Sequence, residues 1–425
     1  MNPIKISVPR RKKHILAVAS VMAVLTCVSA VAQFAPPRPP PPPPPRPGAP
    51  QGPQPNNAPG LQGFGLALAG LTADLIAAFN EGRIEFTNVE TPESGLGPIF
   101  NGRSCAECHS SPTVGGASNI NVTRFGRTTD GVFDPLESLG GSLLQRFAIN
   151  PVLREIIPHE ANVIAQRQTT PLFGAGLIEA IPDAAILQNM LLPKADGIKG
   201  KAAEIIDITT GEKRIGHFGW KAQQASLLAF AADAYVNEMG ITNRFFPHEN
   251  APNGNQTLLN QFKRTSDPED QIDPATGKGD IDTAADYMRY LAAPPRLPQT
   301  PTATLGSSVF AQVGCTSCHT PSLRTGPNAV AALDRVTVNL YSDLLLHDMG
   351  SLNDGIAQDG ATAHEMKTPP LWGLRASAPY LHDGRATNVD AAIRAHDGEG
   401  AASRNRYNQL TPQLRQSILD FLGTL

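Results

Sequence analysis

A five-residue pattern occurs twice in this chain of 425 residues, as Cys105-Ala106-Glu107-Cys108-His109 and as Cys315-Thr316-Ser317-Cys318-His319. Cys-x-x-Cys-His is the attachment sequence for c-type haem. Two thiols three positions apart add across the two vinyl groups of one porphyrin, and the adjacent histidine lies under the iron. The repeat therefore predicts two covalently bound haem c groups, carried by Cys105, Cys108, Cys315 and Cys318, with His109 and His319 as proximal ligands. A zinc site would gather its thiolates around one ion. A redox dithiol has no need of a histidine after its second cysteine.

The fifth and last cysteine, Cys27, falls in a segment that reads as a secretory signal. Arg10-Arg11-Lys12-Lys13 is the basic region, Ile15 to Val28 is the apolar stretch, and Ala30-Val31-Ala32 offers a cleavage site. Residues 1–32 are thus expected to be removed after Ala32, with the mature chain periplasmic or secreted. An uncleaved anchor is the alternative. Covalent haem is attached outside the bacterial cytoplasm, so export and the two motifs agree.

Residues 33–60 hold the run Pro39 to Pro45, which favours extended polyproline II and cannot bury a core. They are expected to be a disordered linker. Beyond it, 41% apolar content in a chain of this length supports more than one core. A formal charge of −3 argues against a nucleic-acid partner.

Apolar spacing predicts a helix over 66–79, ended by a turn at Glu81-Gly82, and an irregular loop delivering the first motif. Scattered Gly, Asn and Thr from Gly115 to Gly141 read as irregular structure around a cofactor. Further helices are expected over 183–192 with Asp183 near the N-cap, over 220–239, over 282–291 and over 305–313, this last running into the second motif. A small β-hairpin is expected around Thr209-Thr210-Gly211-Glu212. Ala293-Pro294-Pro295-Arg296 is the best boundary between domains, giving 61–295 and 296–425. The last helix has Thr411 as N-cap and Pro412 in its first turn. A helix leading into the motif and a terminal helix packed on it is the cytochrome c plan. The expected fold is mainly α: two cytochrome-c-like haem domains, long irregular loops and the hairpin.

A haem with one protein ligand has an open face for peroxide or oxygen, whereas one with two is an electron carrier. Downstream of the second motif the candidate ligands are His347, Met349, His364, Met366, His382 and His396. Near the first, His159 is the one candidate, and a surface position suits it better.

Lys367-Thr-Pro-Pro-Leu-Trp-Gly-Leu, Ala378-Pro-Tyr-Leu-His-Asp-Gly-Arg and Asn388 to His396 resemble the C-terminal domain of bacterial dihaem cytochrome c peroxidases. Phe100-Asn-Gly-Arg-Ser-Cys, Leu172-Phe-Gly-Ala-Gly-Leu-Ile-Glu-Ala-Ile-Pro, Phe218-Gly-Trp-Lys-Ala and Asp343-Leu-Leu-Leu-His-Asp-Met-Gly narrow the likeness to the di-haem oxidoreductase family, often labelled thiol oxidoreductase. The resemblance covers roughly 61–425. It implies that His396 is the distal ligand of the second haem, with Met349 as alternative, and that the first haem is open or labile on its distal side. Arg167 resembles the arginine near the peroxidatic haem. Glu179 suits the acid–base carboxylate, a salt bridge being the other reading. Trp220 stands for the indole between the macrocycles, with core packing as the alternative. Calcium is a further cofactor the family implies, at the carbonyls of Ser377 and Pro379. Lys367 stands where an arginine is usual.

The leading expectation is an exported dihaem enzyme that reduces peroxide or another small oxidant. Its electrons would come from a small redox protein, a cytochrome c or a cupredoxin; a homodimer is left open. An oxygenase acting on an organic substrate and a non-catalytic electron carrier are the alternatives. A dithiol enzyme is disfavoured, because haem attachment would consume all four thiols.

Overall fold

In the computed structural model, residues 60–262 and 271–425 are described. The expected signal segment and nearly all of the proline-rich linker lie outside the described residues. Helices dominate, joined by long loops and small antiparallel sheets. The described residues belong to one compact unit. Among the described residues no helix is long and apolar enough to cross a membrane.

The first helix is Ala73–Thr87, capped by Thr72, which accepts from Leu75 N. It therefore starts later than its apolar spacing implied and runs through Gly82, which had been expected to end it. A Cβ at Gly82 would lie 2.4 Å from Thr283 O and 2.9 Å from Tyr287 N. The glycine is there to let this helix close on Asp280–Tyr290, which outweighs its cost of about 1 kcal/mol to a helix interior. The stretch expected as one helix over 220–239 divides. Residues 220–226 are turns, Leu227–Ala234 is α-helical under a Ser226 cap, and Tyr235–Met239 is a π-helix.

The stretch after the first motif is more regular than its composition implied. Asn121–Thr129 is a nine-residue strand that pairs antiparallel with Val163–Gln168, Val132–Asp134 and Leu143–Leu144. Apart from Phe125 and the adjacent Gly126, its side chains are only partly covered. Without a fully buried face the strand lacks the clear period-2 signal that identifies one. The expected hairpin forms, with Glu204–Ile206 paired to Lys213–Ile215.

Among the described residues two main apolar cores result, beside a small cluster of Ala203, Ala222, Leu346 and Ala361. The larger gathers Phe79, Phe86, Tyr235, Met239 and Tyr287 and also takes in Val338, Leu340, Leu344, Leu345 and Trp372. The smaller joins Val309, Phe310, Tyr407, Ile418, Phe421 and Leu422. There Pro301–Gln312, capped by Thr300, crosses Pro412–Leu422, capped by Thr411. The crossing is close because a Cβ at Gly306 would meet Ser417 O at 1.7 Å. Thus the helix preceding the second motif and the terminal helix pack together as expected.

Candidate redox centres

At the second motif Cys315–Ser317 forms a 3₁₀ turn straight after the Pro301–Gln312 helix. His319 Nδ1–H donates to Tyr341 O at 3.0 Å. His396 closes the Val389–Ala395 helix, where its Nδ1–H donates to Ala392 O at 2.8 Å. Capping the helix and ligating an iron would use different nitrogens of His396. Both rings are fixed in the tautomer that leaves Nε2 bare, and burial keeps both neutral, His319 pushed down to about 4. Neutral imidazole is the form that binds metal.

The ring centres of His319 and His396 are 6.4 Å apart. A metal–imidazole bond is about 2 Å long and a ring nitrogen lies about 1 Å from its ring centre, so two rings on one ion have centres roughly 6 Å apart. The spacing fits a shared iron. Cys315, Cys318, Phe310, Leu371, Ile393 and Leu422 help line a cavity of about 200 Å³ beside the two rings. This mainly apolar enclosure suits a macrocycle, so the residues present fit haem.

The other candidate ligands are placed otherwise. His347 has Nε2 3.0 Å from Asp343 Oδ2 and Nδ1 2.5 Å from Glu399 Oε2, so neither nitrogen is spare. Burial opposes its charge, but hydrogen bonds with Asp343, Cys318 and Glu399 push it up to about 12. Asp343 also receives Lys194 Nζ at 2.6 Å, and the same ammonium donates to Ser317 O at 2.6 Å, tying this ionic cluster to the motif. Met349, Met366 and His382 all line the cavity, as does Lys367, whose ammonium burial pushes down to about 8.

At the first motif Cys105–Cys108 is one turn of helix capped by Ser104. His109 Nδ1–H donates to Gly116 O at 3.1 Å, and burial pushes the ring down to about 4 against backbone hydrogen bonds with Gly116 and Thr170. Phe86 lies edge-on to it at 6.0 Å. The tautomer and the cysteine turn fit a second haem. Burial pushes the thiols of Cys105, Cys108 and Cys315 up to about 12. Reactive thiols have lowered values, so the sites are unsuited to dithiol chemistry.

Glu179 does not stand open. Its Oε1 accepts from Leu227 N at 2.7 Å and its Oε2 from Arg289 Nε at 2.7 Å. This is the salt-bridge reading, with a role at a helix start added. Arg167 is buried, bonded through Nε to Asp354 Oδ2 and through Nη1 to Gln358 Oε1, both at 2.7 Å. Its Nη2 has no partner. Lys221 Nζ reaches Asp354 Oδ1 at 2.9 Å and the carbonyls of Thr362, Ala363 and Glu365. Trp220 Nε1–H donates to Gln168 O at 2.9 Å, and its ring stands edge-on to His382 at 6.3 Å while lining the second cavity. His159 is on the surface, its side chain 92% exposed. The Pro379 carbonyl already accepts from Gln168 Nε2 at 2.9 Å.

A carboxylate that approaches the first motif unannounced by the sequence is Glu238, on the π-helix. Its carbonyl accepts from the backbone N–H of Asn101 and of Gly102, and its Oε2 from Asn101 Nδ2 at 2.9 Å. After burial, its charge is the largest influence raising the Cys108 thiol. Burial raises Glu238 itself, opposed by Arg124, Asn101 and Arg146. Neighbouring Asp233 is pushed up by burial to about 6, and Arg124 Nε has no partner. Sequence reasoning passed over Glu238 because the stretch read as one continuous helix. The available signal was a lone carboxylate in a last helical turn, where the helix dipole disfavours it. π-Helical turns recur at functional sites.

Residues 154–425 match the model of a family described as "Di-haem oxidoreductase, putative peroxidase". No curated protein matches the chain. Among solved structures, hydrazine synthase of Kuenenia stuttgartiensis is 16% identical, with 84% of this chain and 90% of that one covered at a TM-score of 0.39. A MauG-like protein associated with microbial copper homeostasis is 15% identical, covering 85% and 92%, at 0.39. The diheme peroxidase BthA of Burkholderia thailandensis is 13% identical, covering 82% and 86%, at 0.35. These structural likenesses are too distant to bear on the site.

Proposed function

Because this chain belongs to the di-haem oxidoreductase family, we propose that it is an exported c-type dihaem enzyme that reduces peroxide at the His109 site. Its electrons come from a small redox protein and pass through the His319–His396 site. Bound at each motif, haem supplies a redox-active iron whose open or closed face decides between ligand chemistry and electron carriage. The observation that carries the reading is the contrast between the sites. One pairs two imidazoles at 6.4 Å; the other carries one imidazole on a motif whose Cys108 feels the charge of a carboxylate of raised proton affinity.

The chain's own residues then divide the work. His109 and His319 hold their rings by a backbone hydrogen bond, which fixes orientation and strengthens Nε2 as a donor. Splitting peroxide needs a group that takes a proton from one oxygen and returns it to the other. Glu238 is assigned that role in place of Glu179, whose oxygens are committed to Arg289 and Leu227 N–H. Arg124 and Arg146 supply positive charge near Glu238, where a departing oxygen would gain negative charge. Trp220, lining the second cavity and bonded to the strand that carries Arg167, is the candidate bridge for electrons.

Steady-state peroxide turnover of haem-loaded variants tests this. Glu238→Gln should lower turnover per haem by roughly 10²–10⁴-fold with haem content kept. Glu179→Gln should instead cost stability, roughly 1–3 kcal/mol, and keep turnover per folded molecule. The reverse pattern returns the role to Glu179. Wild-type protein that neither turns over peroxide nor binds cyanide, also after one-electron reduction, would be an electron carrier.

A further inference from the structure

The same π-helix carries a second polar side chain toward the first motif. Tyr235 is 2% exposed, and its hydroxyl donates to Glu85 Oε1 at 2.6 Å. Glu85 precedes Phe86, the residue whose ring lies against His109. The phenol and Glu85 each lie close enough to Cys105 for their charges to act on that thiol, or its charge on them. The pair is therefore at the edge of the first haem site, by Cys105, whereas Glu238 acts on Cys108.

A phenol that loses an electron becomes a very strong acid. It is oxidised at accessible potentials only where a base hydrogen-bonded to its oxygen can take the proton in the same step. Two other buried tyrosines lack such a base. Tyr287 donates to Val114 O at 2.9 Å, and a carbonyl cannot accept a proton. Tyr407 donates to Asp390 Oδ1 at 2.6 Å, but Arg394 binds both Asp390 oxygens and lowers their proton affinity. Glu85 has no ion-pair partner among the described residues. The groups that face it are Tyr235, Asp280, Glu90 and Cys105, and after burial the two acids raise its proton affinity further.

We propose that Tyr235 is a redox-active residue of the first site: it gives one electron to the peroxide-oxidised haem and its hydroxyl proton to Glu85, becoming a neutral tyrosyl radical. The haem gains one electron, the O–H bond of Tyr235 breaks, and Glu85 becomes a carboxylic acid. An electron arriving later from the second site returns to the oxygen with the proton from Glu85, restoring both side chains. The pair thus holds an oxidising equivalent inside the protein when electron supply lags. This rests on the peroxidase reading for its oxidant only.

Rapid-freeze EPR on the two-haem protein, given one equivalent of hydrogen peroxide and no reductant, tests it. Expected is an organic radical whose hyperfine pattern narrows when tyrosine is ring-deuterated. It should be lost in Tyr235→Phe, reduced at least several-fold in Glu85→Gln, and retained in Tyr287→Phe. Pyridine haemochrome checks that each variant still carries both haems. A radical untouched by deuteration or by Tyr235→Phe overturns the proposal. Protein inert to peroxide would sink the peroxidase reading alone. A surface-attached ruthenium photo-oxidant then decides the tyrosine separately: a transient tyrosyl absorbance in wild type that Tyr235→Phe removes supports the assignment, and its absence overturns it.

Discussion

The two Cys-x-x-Cys-His sites share how the motif histidine is held and differ in what else stands near. In both, a backbone carbonyl accepts from Nδ1–H of the motif histidine, Gly116 for His109 and Tyr341 for His319. Opposite His319 a helix ends on His396, locked by its own helix carbonyl. Near His109 the chain instead makes a π-turn, which swings Glu238 and Tyr235 toward the motif. Both features are thus helix termini. An ordinary terminus hands over a ligand, and a π-turn hands over a proton carrier and a phenol. The motif itself leaves open which site carries electrons and which does chemistry; the element that ends nearby decides it.

The largest effect expected is a change of spin state. His396→Gly should convert one of the two haems from low-spin to high-spin by EPR and leave the other unaltered. Met349→Leu should change neither, although Met349 also lines the cavity. A spin change in the methionine variant and none in the glycine one would dissolve the contrast between the sites as drawn.

A second test asks whether the regions are energetically separate. Asp354, from the C-terminal stretch, sits between Arg167 and Lys221 from the N-terminal one, and all three side chains are at most 4% exposed. Asp354→Ala would strand two buried cations, at a cost of about 3–5 kcal/mol. Because the cluster joins the regions, calorimetry should show one cooperative transition shifted down. Two transitions, with one unmoved, would make the sites independent bodies.

Much of the second site could be read from the chain before its structure. His396 follows a short helix with an Asn388 cap, and both the terminal helix and its Thr411 cap fall where expected. The first site was less legible, for physical reasons. Glu179 sits in an apolar run, which resembles the setting of a carboxylate with raised proton affinity. Its neutralising partner, Arg289, is 110 positions away and carries no sequence signal. The break at Ala234 into a π-helix leaves the apolar period nearly intact, so Glu238 and Tyr235 read as positions on an ordinary helix. Gly82 misled in the opposite sense, because a glycine kept for interhelical contact looks like a stop. Local pattern reports local structure, and the surroundings of the first site are built from long-range contacts.

The finest distinction between the regions is carried by their two tyrosine–carboxylate pairs, which should tilt stability against pH in opposite directions. Burial, and then Asp280 and Glu90, raise Glu85 from its ordinary 4.5 to about 7, against the opposing bond from Tyr235. The folded protein then binds the Glu85 proton more tightly than the unfolded chain does. Stability is highest below about 4.5 and falls as pH rises toward about 7. Asp390 is shifted the other way, chiefly by its bond from Arg394 and also by that from Tyr407. Its contribution is present above the ordinary aspartate value, near 3.8, and is lost as pH falls through the lower folded value. Denaturant unfolding across pH should show that Glu85→Gln flattens the decline between about 4.5 and 7, making the variant relatively more stable at neutral pH. Asp390→Asn should lower stability at neutral pH and lessen the acid sensitivity. If both substitutions moved the profile in the same direction, the two pairs would share one electrostatic setting, and Glu85 would lose its standing as the free base of the first site.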